Sequence, residues 1–358
     1  MEHVKQKKYT YFIGTDISRN KLDHAVMKGK VLLFHRETGN DKESISDFIS
    51  ELKKLPGFTL TRAVFCMEQT GIYTNHLIYG LQRLKTNLVV EAPLQIRNSL
   101  GNIRSKNDKI DAIRIAEYAY KSREHLRLYI PRRLVIQQLA DLTSIRTRLV
   151  NLRLILTIPL QEQISFVKKG IAKEGHRLCQ RSSEALKDDL IEVEQTISDI
   201  MAADERLKQL MKLITSVKGV GPVTATHIII CTNEFRDINN PKKFACYAGV
   251  APFVKESGNN RGRPRVSKVA NKKMKSLLHT CAIQAIRLIP ELKAYFLRKT
   301  VVEGKHKMSV YNALRYKMIL RIFACVNQNR CYEQTHIRES SISQATQFDE
   351  QVFNGEIS

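Results

Sequence analysis

Apolar and polar positions alternate in short stretches along residues 9–125, which predicts strands and helices in turn. Strands are predicted over Tyr9–Asp16, Leu22–Met27, Val31–His35, Arg62–Glu68 and Asn87–Val90. Helices are predicted over Lys42–Lys54, His76–Leu84 and Asp108–Lys121. Lys28-Gly29-Lys30 is predicted to form a hairpin turn between the second and third strands. This order of elements is typical of a three-layer α/β domain.

From residue 131 to about residue 213 the apolar positions recur at spacings of three and four, which predicts long helices. The first half carries Leu139, Leu142, Ile145, Leu149, Leu152 and Ile155, and the second half repeats the pattern with one polar interruption, at Asp204. Pro159 and the segment Gly170–Gly175 are predicted to break these helices. The pattern indicates an antiparallel helical hairpin or coiled coil, a spacer or oligomerisation arm over residues 131–213.

The remainder of the chain is predicted to be mostly helical. Residues 214–328 are predicted to form a third domain of helices with basic loops, and residues 333–358 a polar tail that frays. The predicted fold class is therefore α/β followed by α, with the α/β domain at residues 9–125. Strand, hairpin, helix, strand, helix, strand and helix is the order found in ribonuclease-H-like nucleases.

The charge of the chain narrows the choice of partner. Among 358 residues, 59 are Lys or Arg and 35 are Asp or Glu, giving a net charge of +24. Such an excess favours a polyanionic partner, and nucleic acid is expected; a merely solvated basic surface is the alternative. No apolar run approaches a membrane span or a signal peptide, and the seven cysteines form no C-x-x-C pair. We expect a soluble, cytoplasmic, nucleoid-associated protein with reduced thiols.

Four carboxylates stand at the ends of predicted elements. Asp16 and Glu68 end two strands, and Asp108 and Asp111 lie three residues apart at the start of a helix. In a ribonuclease-H-like arrangement these ends converge on one pocket, where one or two Mg²⁺ ions (or Mn²⁺) would offset the repulsion. Taken singly, each acid is equally explained as a turn former or helix cap. Asp23 and Glu91 are the rival acids: Asp23 lies inside a strand pattern with no partner nearby, and Glu91, at a strand end, is the stronger rival to Glu68.

Two glycine- and lysine-rich segments suggest contacts with nucleic acid. Lys218, Gly219 and Gly221 lie in a hydrophobic-Gly-hydrophobic-Gly turn between two helices, which is typical of a DNA-backbone clamp or of a plain interhelical turn. Further on, Ser257 stands in a loop crowded with cations. Such a loop is more often a phosphate-binding face or a solvated loop, but it could also hold an attacked phosphate for a serine nucleophile. The cations are Lys255, Arg261, Arg263, Arg265, Lys268, Lys272, Lys273 and Lys275. Ser267 is the rival serine.

These motifs together resemble the DEDD-type insertion-sequence transposases, the family that includes Piv-type invertases and bridge-RNA-guided recombinases. In the first half the matches are Gly14-Thr15-Asp16, Met67–Tyr73 and Lys106–Ala112. In the second half they are Gly219-Val220-Gly221, Tyr247–Pro252, Glu256-Ser257-Gly258 and Ser267-Lys268. The resemblance covers residues 10 to 325. Lys218 and Ala270 depart from it, since the family often has Pro and Gly there.

The resemblance implies a DNA recombinase. It implies a Holliday-resolvase-like domain with Asp16, Glu68, Asp108 and Asp111 as the divalent-metal tetrad, and a transposase domain with Ser257 as nucleophile. It also implies Lys106 among the nucleic-acid contacts, a non-coding guide RNA, and a homodimer or homotetramer whose subunits share the site. The alternatives left open are a site-specific DNA invertase, a Holliday-junction endonuclease that uses water, and a basic binding protein with a decayed nuclease domain.

Overall fold

The computed structural model describes residues 9–99, 107–253, 256–257, 260–262, 265–267 and 270–333. The chain divides into two compact units, residues 1–131 and residues 132–358. Within the described residues, no helix combines the length and apolar character that a membrane span requires.

The first unit is a mixed five-stranded sheet with helices on both faces. Its strands are β1 (Tyr11–Ile17), β2 (Lys21–Lys28), β3 (Val31–Gly39), β4 (Ala63–Glu68) and β5 (Asn87–Glu91), in the order β3-β2-β1-β4-β5. Strand β2 runs antiparallel to β1 and β3, whereas β1, β4 and β5 are parallel. The helices are α1 (Lys42–Lys53), α2 (Asn75–Arg83), α3 (Pro93–Ser99) and α4 (Asp108–Lys121). The predicted α/β sheet is confirmed, and α3 is an element that the sequence pattern did not predict.

The alternation of side chains along the strands gives the sheet two apolar faces. In β1, Tyr11 and Ile13 face a core completed by α1 and α2, while Phe12 faces a core completed by α3 and α4. Gly14 lies on the α4 face, and a Cβ built there would come closer than 3.0 Å to backbone atoms of Ala112 and Ala116. Helix α4 therefore lies directly on strand β1 because position 14 has no side chain.

The second unit is mostly helical, as predicted. Its helices are α5 (Leu134–Phe166), α6 (Lys169–Ala203), α7 (Glu205–Thr215), α8 (Pro222–Thr232), α9 (Pro241–Tyr247), α10 (Lys272–Leu288), α11 (Pro290–Leu297) and α12 (Lys307–Asn327). Short strands β6 (Pro252–Phe253), β7 (Glu256–Ser257), β8 (Asn260–Arg261) and β9 (Arg265–Val266) lie between α9 and α10. One large apolar core holds buried side chains from all the helices α5 to α12 together.

The predicted helix breaks at Pro159 and Gly170–Gly175 are wrong. Pro159 lies inside α5, and both glycines lie inside α6, so the two helices meet instead at Val167 and Lys168. Helices α5 and α6 pack side by side in opposite directions, with Arg146 against Glu194 and His176 against the Leu160 carbonyl. Packing along this length outweighs the one hydrogen bond that a proline removes from its helix.

Asp204, the polar interruption in the second helical pattern, is where α6 ends and α7 begins. Its carboxylate accepts the Leu207 N–H at 3.0 Å as the N-cap of α7 and binds the Arg133 guanidinium at 2.7 Å. Arg133 also binds Glu234 at 2.7 Å, and the Glu234 side chain is fully buried. This ion network joins the starts of α5 and α7 to the turn after α8.

The close contact between helix α4 and strand β1 at Gly14 can be tested by substitution. Gly14→Ala would force α4 away from β1, so we expect it to lower the free energy of unfolding of the first unit by about 1–3 kcal/mol. Thermal unfolding followed by circular dichroism measures this change. The matched control is Gly170→Ala, whose Cβ would meet no atom within 4 Å and which should leave stability unchanged or slightly higher. Equal effects of the two variants would contradict the close packing.

Candidate active site and nucleic-acid interface

A row of acidic residues crosses the sheet at the ends of its strands. Glu37 pairs with Asp23, Asp23 pairs with Asp16, and Glu68 pairs with Glu91. Because Thr15 pairs with Met67 in the parallel ladder, the next positions, Asp16 and Glu68, are also neighbours. Residues paired across a sheet share a face, so the row lies on the face covered by α4.

Helix α4 brings two further carboxylates to this row. Asn107 is its N-cap and accepts the Lys109 N–H at 3.0 Å, so Asp108 and Asp111 belong to the first turn rather than to the cap. The contact at Gly14 holds this helix against β1, two residues before Asp16. Asp111 is partly buried and Asp108 is half exposed. The ends of β1, β4 and α4 thus approach one another within the first unit.

Mutual repulsion among these carboxylates changes their acidity. Burial, followed by the charges of Asp111, Asp108 and Asp23, raises the pKa of Asp16 above its usual range. Burial, then the charges of Asp16 and Asp111, raises the pKa of Glu68. Both shifts have the sign expected where desolvation and like charge disfavour the ionised form. The charges of Asp108 and Asp111 thus act on Asp16, and those of Asp16 and Asp111 act on Glu68.

Two cations contact the carboxylates that helix α4 contributes. The Lys21 ammonium lies 2.9 Å from Asp108 and 3.2 Å from both Asp23 and Glu37. The Arg114 guanidinium lies 2.8 Å from Asp111. Asp16 contacts the Ile17 N–H at 3.0 Å, and no described cation forms a salt bridge with Asp16 or Glu68. Negative charge is thus least compensated in the middle of the row.

The rival acids at the two ends of the row have other partners. Asp23, which the sequence pattern left without a partner, accepts a hydrogen bond from His35 at 2.8 Å and binds Lys21. Glu91 accepts the Tyr118 hydroxyl at 3.0 Å and the Ala92 N–H at 3.1 Å. The expectation of an isolated Asp23 is therefore wrong, because strand β3 folds back and places His35 beside it.

The donor atoms at the site suit a hard divalent cation, since all four proposed ligands are carboxylates. Within the described residues, however, no three or more His, Cys, Asp or Glu side chains are arranged so that they could hold a metal ion. Asp108 and Asp111 are turned to Lys21 and Arg114 instead. Metal binding at this site would require these two carboxylates to exchange their present contacts.

The turn between α7 and α8 contains the predicted DNA-backbone clamp. Gly219 has a φ of +93°, and a Cβ there would crowd the backbone of α10 at Cys281 and Ala285, so this glycine is required for packing. Gly221 is the N-cap residue of α8 and has open space around it, and Lys218 is exposed. Packing therefore explains the glycine at position 219, whereas Gly221 and Lys218 lie exposed at the surface.

Ser257 lies in the second of two short antiparallel strand pairs between α9 and α10, which are together called the ribbon. The outer strands β6 and β9 pair Pro252 with Val266, and the inner strands β7 and β8 pair Ser257 with Asn260. Only two residues separate β7 from β8, so the backbone of Ser257 lies next to the tip of the ribbon. The ribbon begins just after Val250, whose carbonyl accepts a hydrogen bond from Asn312 of α12 at 2.6 Å.

The predicted basic residues are only partly within the described structure. Arg265 is exposed at the base of the ribbon, and Lys272 and Lys273 are exposed in the first turn of α10. The backbone of Arg261 lies in β8. Lys106, Lys255, Arg263 and Lys268 lie outside the described residues, as does the chain after residue 333.

Sequence patterns did not reveal the partners of the acidic row. Lys21, Arg114, His35 and Tyr118 each contact a carboxylate, yet each occupies an ordinary position in a strand or helix pattern. Arg114 had one available signal, because a base three residues after Asp111 on a helix predicts an ion pair. The contacts of Lys21 and His35 depend on strand pairing, which residue spacing alone does not specify.

Comparison with known proteins identifies the family. A family model described as "Transposase IS116/IS110/IS902 family" matches residues 211–297, and the model for the IS110-type DEDD transposase matches residues 13–167. The "Pilin gene-inverting protein" of Moraxella lacunata is 24% identical over 328 residues, covering 90% of this chain and 98% of the relative. The counterpart from Moraxella bovis is 23% identical over the same length.

A further relative comes from an insertion sequence. The "Transposase for insertion sequence element IS1111A" of Coxiella burnetii is 26% identical over 255 residues, covering 64% of this chain and 68% of the relative. Membership of a transposase family implies an enzyme that cleaves and rejoins DNA. One family model spans the first unit and helix α5, the other lies within the second unit, and the relatives carry the names of a transposase and of a gene-inverting protein. The chain therefore belongs to the family of IS110-type DEDD transposases.

Proposed function

We propose that this protein is a DNA recombinase that cleaves and rejoins the strands of its own insertion sequence, with Ser257 as nucleophile and the tetrad Asp16, Glu68, Asp108 and Asp111 as the divalent-metal site. The observation that carries the proposal is the convergence of these four carboxylates at the ends of β1, β4 and α4 in a chain of this family. The order β3-β2-β1-β4-β5, with an antiparallel β2, supports a ribonuclease-H-like fold for the first unit.

The proposed metal, Mg²⁺ or Mn²⁺, fits the charge of the site. Burial and mutual repulsion disfavour the ionised forms of Asp16 and Glu68, and a bound cation would reverse that preference. When bound, the ion would polarise the attacked phosphate and stabilise the charge that develops on its oxygens. Lys21 and Arg114 hold Asp108 and Asp111 close to the row until a cation replaces those contacts.

The chemistry proposed for Ser257 is transesterification. The serine oxygen attacks phosphorus and loses its proton to a base, a phosphoserine ester forms, and the bond to one deoxyribose oxygen breaks. A hydroxyl of another DNA end then attacks the ester, and the serine oxygen leaves and regains a proton. One phosphodiester bond is exchanged for another at each step, so rejoining needs no nucleotide. The position of Ser257 beside the tip of a ribbon supports this role, since a tip can enter a DNA groove.

Partners beyond the DNA follow from the family. A non-coding guide RNA would choose the donor and target sites, and the net charge of +24 is consistent with binding both nucleic acids. Assembly as a homodimer or homotetramer would let one subunit supply the tetrad and another the serine. The long hairpin of α5 and α6 supports a role as an assembly arm, where a coiled coil is proposed.

One alternative function is favoured by a specific observation. The relative that this chain matches over 98% of its length is called a gene-inverting protein. Inversion uses the same strand exchange and differs only in the arrangement of the DNA sites, so it requires no change to the proposed residues. A Holliday-junction endonuclease would use the same carboxylates with water as nucleophile, and Ser257 would then be dispensable.

Asp16→Asn tests the tetrad. We expect strand cleavage to be lost while DNA binding stays close to normal, because the substitution removes a metal ligand without altering a DNA contact. The variant should also unfold at a higher temperature than the wild type in the absence of metal, since one of several repelling carboxylates is neutralised.

The matched control is Asp47→Asn, which neutralises an exposed acid on α1, on the other side of the sheet. Cleavage, gel-shift and thermal-unfolding measurements on the three proteins give all the readouts. Retained cleavage in Asp16→Asn would show that Asp16 is not a metal ligand. Equal stability changes in both variants would contradict the proposed repulsion at Asp16.

Ser257→Ala tests the nucleophile. Purified protein is incubated with Mg²⁺, end-labelled DNA from the element's junction and RNA transcribed from its flank, and the products are run on a denaturing gel. We expect the wild type to form a covalent protein–DNA adduct that Ser257→Ala lacks. Ser267→Ala, the matched control at the other end of the basic segment, should keep the adduct. Cleavage without an adduct, unchanged in Ser257→Ala, would establish the water-using endonuclease instead.

A further inference from the structure

Arg315, in the middle of helix α12, is a buried cation without an acidic partner. It is 4% exposed, and its one described hydrogen bond is a long one of 3.4 Å, from Nη1 to the Asn312 side-chain oxygen. Its Nε is buried and has no hydrogen-bond acceptor. Among the described residues, no carboxylate forms a salt bridge with it. Burying a guanidinium in this way is costly, because it loses water and gains no counter-charge.

A second polar group beside Arg315 is also unsatisfied. His279 lies on the neighbouring helix α10, packs edge-on against Tyr311 at 5.0 Å, and has a buried Nδ1 without a hydrogen-bond partner. Tyr311 lies four residues before Arg315 on α12, so His279 packs against the same side of that helix. Burial and then the charge of Arg315 lower the pKa of His279. The α10–α12 interface therefore holds two unused hydrogen-bonding nitrogens and one uncompensated positive charge.

This pair of groups lies at the root of the ribbon that carries Ser257. Arg315 contacts Asn312, and the Asn312 side-chain nitrogen donates to the Val250 carbonyl at 2.6 Å, two residues before β6 begins. On the returning side, Asn271 caps α10 and its side chain donates to the Tyr247 hydroxyl at 2.7 Å. One residue therefore links Arg315 to the start of the ribbon.

We propose that Arg315, assisted by His279, is a binding site for a phosphate of the DNA strand that passes the root of the ribbon. The site rests on the proposed function, since it serves the strand presented to Ser257. A guanidinium offers five N–H donors in a fork that matches the oxygens of a phosphate. Because folding has already stripped water from this arginine, phosphate binding would cost little further desolvation of the protein and would gain a strong ionic contact.

Other features of the chain favour phosphate over carboxylate as the missing partner. The chain has 59 basic and 35 acidic residues, so an internal acid is scarce where a polyanion is plentiful. The buried acid of the same unit, Glu234, is by contrast satisfied by Arg133 and Arg206 at 2.7 and 2.8 Å. The second unit thus pairs its buried acid, Glu234, with its own arginines but leaves the buried Arg315 without a described acidic partner. This is expected if the substrate supplies the negative charge.

The test compares Arg315→Met with Arg321→Met. Arg321 is the matched control, because it is a largely buried arginine on the same helix that has an acidic partner, Glu291 at 3.3 Å. Binding of a labelled DNA duplex and of a labelled RNA hairpin is measured by fluorescence anisotropy from 50 to 200 mM salt, without divalent metal so that no cleavage occurs. Thermal unfolding is measured without nucleic acid, and again with inorganic phosphate as a probe.

We expect Arg315→Met to weaken DNA binding about tenfold and to reduce the slope of log affinity against log salt by about one, the value for one lost phosphate contact. It should keep or raise the unfolding temperature, because an apolar side chain replaces an unpaired buried charge. Phosphate should stabilise the wild type more than this variant. Arg321→Met should lower the unfolding temperature and leave the salt slope unchanged.

Several outcomes would overturn the proposal. Arg315→Met with lowered stability and an unchanged salt slope would make Arg315 a packing residue, and a loss confined to RNA would assign the phosphate to RNA. If Arg315→Met does not fold, Arg315→Lys replaces it, because lysine keeps the charge without the forked N–H donors of the guanidinium. This variant should bind DNA more weakly than the wild type with an unchanged salt slope. Wild-type affinity would refute the site. Phosphate binding at Arg315 does not require the Ser257 hydroxyl, so Ser257→Ala should keep the wild-type salt slope. The Arg315 site can therefore hold even if Ser257 is not the nucleophile, and the two proposals are tested separately.

Discussion

The contact between helix α4 and strand β1 at Gly14 is the constraint on which the candidate active site depends. With no side chain at this position, the backbone of α4 lies against the strand. The first turn of the helix, with Asp108 and Asp111, is thereby brought to the strand end that carries Asp16. A larger residue would separate the helix from the sheet and with it two of the four carboxylates from the other two.

The electrostatics of the first unit contrast with those of the whole chain. A protein with a net charge of +24 places an acidic row across one sheet, and the described cations that contact it, Lys21 and Arg114, bind carboxylates at its outer end and in the first turn of α4. Burial, and then repulsion from neighbouring carboxylates, raises the pKa values of Asp16 and Glu68 in the middle of the row. In our proposal, this local loss of stability allows the site to bind a cation and a phosphate.

The second unit treats its buried charges in two different ways. Glu234, with left-handed backbone torsions at positions 233–235, is fixed by Arg133 and Arg206, and through Arg133 the same network reaches Asp204, the cap of α7. Arg315 has no such partner and lies beside the root of the ribbon. The ion network around Glu234 stabilises the junction of α5, α7 and the turn after α8. The charge of Arg315, in our proposal, is neutralised by the substrate.

The sequence by itself determined the five strands and three of the four helices of the first unit, and the acids at their ends. The alternation in β1 and β4 and the start of α4 at Asp108 were readable because they depend on local periodicity. Tertiary structure alone decided that Pro159 and Gly175 stay helical, that Gly219 packs on α10, and that Lys21, His35 and Arg315 meet the neighbours they have. These features depend on strand register and helix packing between residues far apart in the chain, and such contacts leave no periodic signal in a single sequence.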